Sequence, residues 1–542
     1  MPRQRLKSWA DFPRSRWFEA DRIANNFPGV RFLNAARDFP RTRRFFILKW
    51  PAQGLTSPEP NLELRCGPPV AGGSRAVNRS KCMTARLGLP GAGRQYADQD
   101  PMNAIPTPTT PGREAIRSVT LANGLKIIVW PVRNIPNVAL YNWVRAGSRN
   151  EAPGITGLAH FFEHMMFNGT ARRSAGDFDR LMEAQGGANN AFTSDDVTVY
   201  QDWFPRDALE LIFDLEADRI SHLAFDPEVI ESERGVVASE RRLSVDDNNH
   251  GHLAEQVQAA AFVAHPYQFP TIGWPADIQS WQLADLQKFF RTYYAPNNQT
   301  FVFAGDVSPE EVFALARKYL EPIPRQAAPE PVRAREPEQT GGRHVVVRRN
   351  AQTPLLQYAY KAPAAADARA PALNLLISIL VDGDASRLYR ELVENRKVIV
   401  DLGGHWHEGF DPALFWLYFT LPEGSDPQAV QPVIDAELAR VVQEGVTAQE
   451  LRRAKSMAAV AFWKKLSTID GKAQLLGEYE IFHGDWAKLF SAADELERVT
   501  AEDVHAVARE VLDVNRRTVG VLIPDPEAEG EAAEDQAELE DA

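Results

Sequence analysis

The stretch Gly157–Gly169, GLAHFFEHMMFNG, places two of the chain's eleven histidines and a glutamate in a segment that is otherwise mostly apolar. Charged and imidazole side chains are costly to bury unless something binds them, and a metal ion is one group that does so. On a helix, His160 and His164 lie one turn apart on the same face, with Glu163 beside them. The segment therefore predicts a metal site that needs further ligands from elsewhere in the chain.

The order of these three residues favours a catalytic zinc site. Two imidazoles at positions i and i+4 can bind one zinc ion from the same side, each at about 2.0–2.1 Å. A carboxylate one residue before the second histidine reaches an attacking water rather than the metal, as in H-x-x-E-H, the inverse of H-E-x-x-H. Two helix histidines that merely pack are the alternative, because composition alone gives this pattern in roughly one or two chains per hundred of this size.

A second helix supplies candidates for the third ligand. Asp226 followed by Pro227 is typical of a helix start, and the helix predicted there continues through EVIESERGVVASERRL. Glu233 and Glu240 are seven residues apart and therefore lie on one face of this helix. Apolar neighbours indicate that part of the helix is buried, so these glutamates could face a metal; two solvated glutamates are the alternative.

The chain is organised as two related halves. DLQKFFRTYYAPNNQTFVFAGD from Asp285 aligns with DVHAVAREVLDVNRRTVGVLIP from Asp503 at a constant offset of 218, and in both a helix leads into a strand. The Pro- and charge-rich stretch RQAAPEPVRAREPEQ separates them and predicts a linker over 326–340. Strand patterns such as SVTLANGLKIIVW, with the hairpin signal Asn123-Gly124, occur alongside helical ones.

Several further segments belong to one known pattern. HFFEH from His160 is followed by ERGVVASE ending at Glu240, 76 positions after His164. GSRNE, GGANNAFTSDDVTVYQ and YYAPNNQTFVFAGDV accompany them. Over residues 113–524 the chain resembles the M16 (pitrilysin/insulinase) metallopeptidases, and its length and duplicated halves resemble the M16B, processing-peptidase-like branch. We therefore expect an α+β fold of two homologous halves, each a mainly antiparallel sheet with packed helices, forming a clamshell around a chamber.

The resemblance also implies roles for individual residues. The ligands of one zinc ion per chain would be His160, His164 and Glu240, with Glu163 as the general base. Glu233 would orient a histidine or tune the site rather than bind the metal. The family's substrate strand corresponds to NNAFTS, which would bind an extended peptide through its backbone. In that strand Asn190 would hold the substrate backbone and Ala191 and Phe192 would lie at the edge; an ordinary solvent-facing strand is the alternative.

One expected element is missing from the C-terminal half, which the resemblance makes an inactive M16-like half over 341–524. The family places an Arg and, seven residues later, a Tyr there to hold the substrate and the oxyanion. In SRLYRELVENRKVIVDL those positions are Val393 and Val400. Three nearby polar side chains have other spacings, and we interpret them as surface and packing residues: Arg387, Tyr389 and Arg396.

In M16B pairs, which this chain resembles, one subunit carries H-x-x-E-H and a related partner carries the Arg and Tyr, so the resemblance implies a division of labour between subunits. The catalytic half over 113–325 would belong to the zinc-bearing subunit of a heterodimer whose related partner supplies Arg and Tyr, or the chain would form a homodimer. The expected function is a zinc-dependent endopeptidase for unfolded peptides or presequence-like segments, and the alternative is a weak or inert assembly subunit that binds zinc. His405 and His407 in GGHWHEG are either a second metal pair or cavity-lining residues; the second is favoured, because no third ligand is adjacent.

Composition limits the remaining possibilities. The 542 residues carry a net charge of −13, of which residues 1–100 contribute +10 and the tail 525–542 contributes −9. The acidic remainder argues against nucleic acid as the main partner, although a basic arm that binds it stays an alternative. Both cysteines, Cys66 and Cys82, lie in the basic region, so the body has no thiol nucleophile or disulfide.

The two ends of the chain are expected to differ from the body. Residues 1–112 are expected to form a disordered extension. The alternative is that translation starts at Met83 or Met102 and the residues upstream of that start are not part of the protein. The acidic tail 525–542 is expected to be solvated and disordered, and a docking role is the alternative. No apolar run reaches the roughly 20 residues of a membrane span, and no secretory h-region is visible, so we expect a cytoplasmic protein.

Overall fold

The hairpin signal at Asn123-Gly124 forms the first strand pair of the molecule. The structure is a computed structural model that describes residues 112–525; the predictions for the N-terminal extension and for the tail after Asp525 lie outside this range. Arg117–Thr120 pairs antiparallel with Lys126–Pro131, and Gly124 in the turn adopts a φ of 94°, which favours glycine. The predicted hairpin is confirmed.

Strands and helices alternate through both halves of the described chain. The strands are β1 (Arg117–Thr120), β2 (Lys126–Pro131), β3 (Asn137–Val144), β4 (Ala188–Thr193), β5 (Thr198–Pro205), β6 (Gln299–Gly305), β7 (Arg343–Arg349), β8 (Leu355–Ala362), β9 (Asp401–Trp406), β10 (Ala413–Thr420) and β11 (Arg517–Pro524). The helices are α1 (Leu158–Met165), α2 (Asp177–Ala184), α3 (Leu209–His222), α4 (Pro227–Arg241), α5 (Asn249–Ala261), α6 (Pro275–Ser280), α7 (Leu283–Tyr293), α8 (Pro309–Tyr319), α9 (Ala370–Val381), α10 (Pro427–Glu444), α11 (Ala448–Leu466), α12 (Ile469–His483), α13 (Ala492–Arg498) and α14 (Ala501–Val511). No described helix is long and apolar enough to cross a bilayer.

The two sheets share one topology, which confirms the predicted duplication. The N-terminal sheet has the order β1-β2-β6-β3-β5-β4, and the C-terminal sheet has the order β7-β11-β8-β10-β9. In each, one pair is parallel (β2 with β6, β7 with β11) and the other pairs are antiparallel. Helices α7 and α14, and the first residues of β6 and β11, repeat at the offset of 218. The predicted α+β class with two related, mainly antiparallel halves is confirmed.

Each sheet is covered on one face by helices of its own half and on the other by a helix from the opposite half. Helix α12 of the C-terminal half packs on β2, β3 and β6, and helix α5 of the N-terminal half packs on β8, β10 and β11. The contacts are so close that a Cβ on Gly520 of β11 would lie 2.3 Å from Val257 Cγ2 of α5. Because both sheet faces are buried, central strands such as β2 are apolar on both sides.

The stretch between the halves contains neither helix nor strand. After α8 the chain runs through residues 320–342 in irregular conformation and then enters β7. Its Glu336 carboxylate accepts hydrogen bonds from the N–H groups of Val263, Ala264 and His265, at 3.0–3.1 Å. This stretch is therefore fastened to the N-terminal half just after α5.

Candidate metal centre

Helix α1 is built into the core, and it is held at its first turn by a glutamate from outside the helix. All eight residues from Leu158 to Met165 are buried. The Glu151 carboxylate accepts hydrogen bonds from the N–H groups of Gly157 and Ala159, both at 2.7 Å. These two N–H groups have no partner within the helix, so the Glu151 oxygens satisfy them, while burial raises the pKa of the Glu151 carboxyl group well above its usual range. Glu151, in the segment GSRNE, thereby fixes the helix that carries His160, Glu163 and His164.

Helix α4 begins where the sequence predicts. The Asp226 side chain accepts hydrogen bonds from the N–H groups of Glu228 and Val229, and Pro227 occupies the first turn. Its C-terminal end is fixed by Arg241, which forms a buried ion pair with Glu255 at 2.7 Å. The residue before Arg241 is Glu240, so the position of that carboxylate is set by a buried anchor.

The two helices bring the three predicted ligands together. Glu240 Oε2 lies 3.6 Å from His160 Nε2 and 3.3 Å from His164 Nε2. One ligand atom from each of the three residues lies within 4.8 Å of the others, and no other such group of His, Cys, Asp or Glu occurs in residues 112–525. Two imidazoles and one carboxylate are the donor set of catalytic zinc sites that keep a fourth position open. The residues present therefore fit a zinc ion.

Glu233 lies behind His164, in keeping with the ligand-orienting role that the family resemblance implies. Its Oε1 lies 2.7 Å from His164 Nδ1. A carboxylate there favours the proton on Nδ1, so that Nε2 is the ring nitrogen that would bind a metal. Burial lowers the pKa of His164, but the hydrogen bonds with Glu233 and Glu240 outweigh it and raise that pKa to about 10. The surroundings therefore favour a positive charge at this position, which a bound cation would also supply.

Glu240 shows the same electrostatic pattern from the other side. Burial raises the pKa of its carboxyl group, but hydrogen bonds with His160 and His164 outweigh burial and hold that pKa well below its usual range. The Glu240 side chain is 34% exposed, whereas the side chain of His164 is 3% exposed. The centre is therefore open to solvent on the Glu240 side.

Glu163 is buried on the same helix, and its carboxylate has a partner that sequence reasoning missed. The Thr193 hydroxyl donates a hydrogen bond to Glu163 Oε2 at 2.7 Å. Thr193 is the last residue of β4 and lies on the same strand face as Ala191, which packs into the core beneath α1. Because side chains alternate between the two faces of a strand, the sequence indicates that Thr193 shares a face with Ala191. It does not indicate the contact of Thr193 with Glu163.

Strand β4, the predicted substrate strand, is the last strand of its sheet. It pairs with β5 on one side only, so its other edge has no partner strand among the described residues. Asn190 is half-buried, Ala191 is buried, and the Phe192 ring packs edge-on against Trp143 at 6.4 Å. Helix α1 packs on β4 and β5, and Thr193 of β4 contacts Glu163, so the strand with the open edge is joined to the helix that carries Glu163.

The residues singled out in the C-terminal half do not join this centre as polar groups. Val393 packs on the core of that half, and Val400 is 56% exposed. Arg387 is held by Glu450 at 2.6 Å, and Arg396 by Glu391 at 2.7 Å, as the packing interpretation expects. Tyr389 begins a π-helical turn.

His405 and His407 line a cavity of about 280 Å³, where both halves contribute residues. His407 lies between two carboxylates, 3.5 Å from Asp195 and 3.4 Å from Asp196. Neither histidine belongs to the one group of possible metal ligands in the described chain. The cavity-lining interpretation is confirmed.

Replacing Glu233 with Ala is expected to weaken zinc binding by about 10–100-fold, because His164 would lose the partner that sets its tautomer and orientation. Competition with a chromogenic chelator measures this affinity in the purified chain. Glu231→Ala is the matched control, since its side chain is 75% exposed on the same helix. Equal zinc affinities of the two variants would show that Glu233 has no role in holding the ligand.

Two family models match the chain in sequence. Residues 132–273 match the model described as Insulinase (Peptidase family M16), and residues 280–458 match that of the Peptidase M16 inactive domain. The first interval contains α1, β4 and α4, and therefore the whole candidate metal centre.

Two named proteins are similar to this chain in sequence, one over most of its length and one over about a third. The zinc protease PqqE of Helicobacter pylori is 31% identical over 415 residues, which are 75% of this chain and 92% of that protein. A probable mitochondrial-processing peptidase subunit beta of Arabidopsis thaliana is 30% identical over 37% of this chain and 38% of its own length.

Solved structures show the same fold. The crystal structure of a protease from Helicobacter pylori has a TM-score of 0.73 and 30% identity, over 76% of this chain and 99% of that one. The periplasmic protease PqqL of Escherichia coli has a TM-score of 0.65 and 20% identity, and it matches 78% of this chain but only 49% of its own.

Proposed function

Because this chain belongs to the M16, or insulinase, peptidase family, we propose that it is a zinc-dependent endopeptidase acting on unfolded peptides. The observation that carries the proposal is the meeting of His160, His164 and Glu240 beside Glu163. A structural zinc site needs no general base, whereas Glu163 lies one residue from a ligand and makes a hydrogen bond that orients it. Relatives named zinc proteases support the same class of reaction.

The residues of the centre divide the work of peptide hydrolysis. His160, His164 and Glu240 would hold a zinc ion, which would supply Lewis-acid chemistry and make water acidic enough to attack near neutral pH. Glu163 accepts the proton of the attacking water and passes it to the leaving amine. Thr193 holds the carboxylate of Glu163 in one orientation, which reduces the reorganisation needed before the transfer.

The open edge of β4 supports an extended peptide as the substrate. A peptide added to this edge is held by its backbone, with Asn190, Ala191 and Phe192 along the contact. The Ala191 side chain is buried, so that residue offers only its backbone to a bound peptide. Recognition of this kind is tolerant of sequence and requires an unfolded segment, which we infer enters a closed chamber.

We infer that a second M16-like unit completes the chamber and the active site. Val393 and Val400 occupy the positions of the expected Arg and Tyr, and neither can donate a hydrogen bond to an oxyanion. The match to about half of PqqL supports a second unit of similar size. The partner is then a related subunit that brings the Arg and Tyr, or a second copy of this chain.

The same two valines favour one alternative, a zinc-binding assembly subunit with little or no turnover of its own. Loss of one oxyanion donor costs about 10²–10³ in rate. The two hypotheses differ in the presence of the partner: the proposed endopeptidase then cleaves peptides, whereas the assembly subunit does not.

Cleavage of a mixed library of unfolded peptides, followed by mass spectrometry, tests the proposal. The zinc-loaded chain alone is expected to cut slowly, and the addition of a related M16 chain that carries the Arg and Tyr is expected to raise the rate by about 10²–10³-fold. A chelator should abolish cutting in both cases. Bound zinc without cutting, alone and with the partner, would contradict the endopeptidase and support the assembly subunit.

A further inference from the structure

We propose that Asp196 is a positioning residue through which the C-terminal half holds the general base Glu163 in place. This rests on the proposed function, since Glu163 is taken as the base. The pathway has three steps: the loop between β9 and β10 binds Asp196, Asp196 fixes the turn between β4 and β5, and that turn carries Thr193.

Asp196 is a buried carboxylate that collects donors from both halves. Its side chain is 1% exposed. From the N-terminal half, the Tyr267 hydroxyl donates to it at 2.8 Å and Arg149 Nη1 donates at 3.2 Å. From the C-terminal half, the Phe410 N–H donates at 3.2 Å and His407 Nε2 lies at 3.4 Å. We call these five residues the Asp196 cluster.

The contacts around the cluster are tight enough to transmit position. A Cβ on Gly409, between His407 and Phe410, would lie 2.5 Å from the Tyr267 hydroxyl and 3.0 Å from Asp196 Oδ2. Arg149 also pairs with Asp411, and its guanidinium lies over the Phe410 ring at 5.3 Å. The loop from His407 to Asp411 is therefore fitted to the turn by charge, hydrogen bonds and shape.

The turn between β4 and β5 is short and internally braced, so its position fixes Thr193. The Ser194 N–H donates to the Val197 carbonyl at 2.8 Å, and the Arg149 N–H donates to the Asp195 carbonyl at 2.9 Å. The Ser148 hydroxyl binds the Asp195 carboxylate at 2.9 Å. Thr193 immediately precedes this turn and contacts Glu163 at 2.7 Å.

This arrangement gives the C-terminal half a task in catalysis although it lacks the Arg and Tyr. A base that must meet an attacking water within hydrogen-bond reach loses rate when it is displaced by a fraction of an ångström. Asp196 lies three residues from Thr193 and is bound by both halves. A change in the loop from His407 to Asp411 would therefore shift the position of the Glu163 carboxylate.

The first arm of the test is hydrogen exchange of the full, zinc-loaded chain, which needs no turnover. Asp196→Asn keeps the size of the side chain and removes its charge, and it is expected to speed exchange in residues 188–200 by about tenfold or more, because local opening of the turn becomes easier. Zinc content and exchange in α1 should stay unchanged. Glu480→Gln is the matched control, since Glu480 is another buried carboxylate that joins the halves, through Lys126 at 2.6 Å.

The second arm asks whether the cluster acts on Glu163 through Thr193. In peptide cleavage, Asp196→Asn and Thr193→Val should each lower kcat by about 10-fold or more, with a smaller change in KM. The double variant should be little worse than either single one, whereas independent effects would multiply. Thr193→Ser keeps the hydroxyl and should restore kcat. Gly409→Ala perturbs the cluster from the C-terminal half and serves if Asp196→Asn fails to fold.

The two arms separate this inference from the proposed function. Unchanged exchange in 188–200, or exchange raised equally by Glu480→Gln, would overturn the role of Asp196. Multiplicative effects on kcat would overturn the pathway through Thr193. A parent chain that binds zinc but cuts nothing would refute the proposed function, while the exchange result would still decide whether Asp196 holds the turn.

Discussion

Glu163→Gln is expected to keep zinc and to lose peptidase turnover by about 10²–10⁴-fold. Glutamine preserves the size of the side chain and still accepts a hydrogen bond from Thr193, but its neutral amide cannot take a proton from water at neutral pH. His160, His164 and Glu240 are untouched, so the metal remains. Metal analysis of the purified variant and its rate on the peptide library, under the conditions in which the parent chain cuts, give the two readouts.

Glu240→Gln provides the matched control for this result. It removes the charge of a ligand rather than of the base, so zinc affinity and turnover should fall together. The contrast between the two variants distinguishes loss of proton transfer from loss of metal. Equal turnover by Glu163→Gln and the parent chain would contradict the mechanism.

Local signals in the sequence were sufficient for the elements that carry the metal ligands. The start of α4 depends on Asp226 and Pro227, which act within one helical turn. The spacing of His160 and His164 needs only the period of a helix, and the offset of 218 needs only two helix–strand units with the same pattern. In each case the deciding interactions lie within a few residues of the chain.

Long-range contacts account for what the sequence did not predict. Helices α5 and α12 each pack on the sheet of the opposite half, and no local pattern in either helix sequence indicates which sheet it contacts. Thr193 meets Glu163 across 30 positions, and Asp196 meets Phe410 across 214. Such pairs follow from the topology of both sheets, which no local pattern in a single sequence encodes.

The meeting of Glu233 with His164 is intermediate between these cases. The helix face shared with Glu240 made Glu233 a candidate ligand, and the family resemblance implied that it orients a histidine instead. Its distance of 2.7 Å from His164 Nδ1 depends on how α1 and α4 pack. Glu233 could therefore be identified from the sequence, but its contact with His164 could be identified only from the packing of the two helices.

A fully buried charge cluster beneath the metal helix carries the largest expected effect on stability. Arg219 is 1% exposed, pairs with Glu216, and lies over the rings of Phe167, Phe178 and Tyr200 at 4.6–5.4 Å. The Tyr200 hydroxyl in turn donates to the Phe162 carbonyl in α1 at 3.0 Å. This cluster therefore connects α3 and β5 with the helix that holds His160 and His164.

The charges of the cluster balance only while Arg219 is present. Burial, and next to it the negative charge of Glu216, raise the pKa of Asp202 well above its usual range. Glu216 forms the ion pair with Arg219, and both side chains are almost fully buried. Removing one partner of a buried pair leaves the other charge uncompensated, which is far more costly than removing both.

Arg219→Met is therefore expected to lower the free energy of unfolding by about 3–5 kcal/mol. Denaturant unfolding of the zinc-loaded chain measures the change, with zinc content showing whether α1 is disturbed. Arg172→Met is the matched control, because its side chain is 51% exposed and pairs with Asp214 at the surface, so a change within about 0.5 kcal/mol is expected. The double variant Arg219→Met with Glu216→Leu should recover part of the loss, since no unpaired charge is left buried. Similar losses for Arg219→Met and Arg172→Met would show that this cluster does not depend on its charge balance.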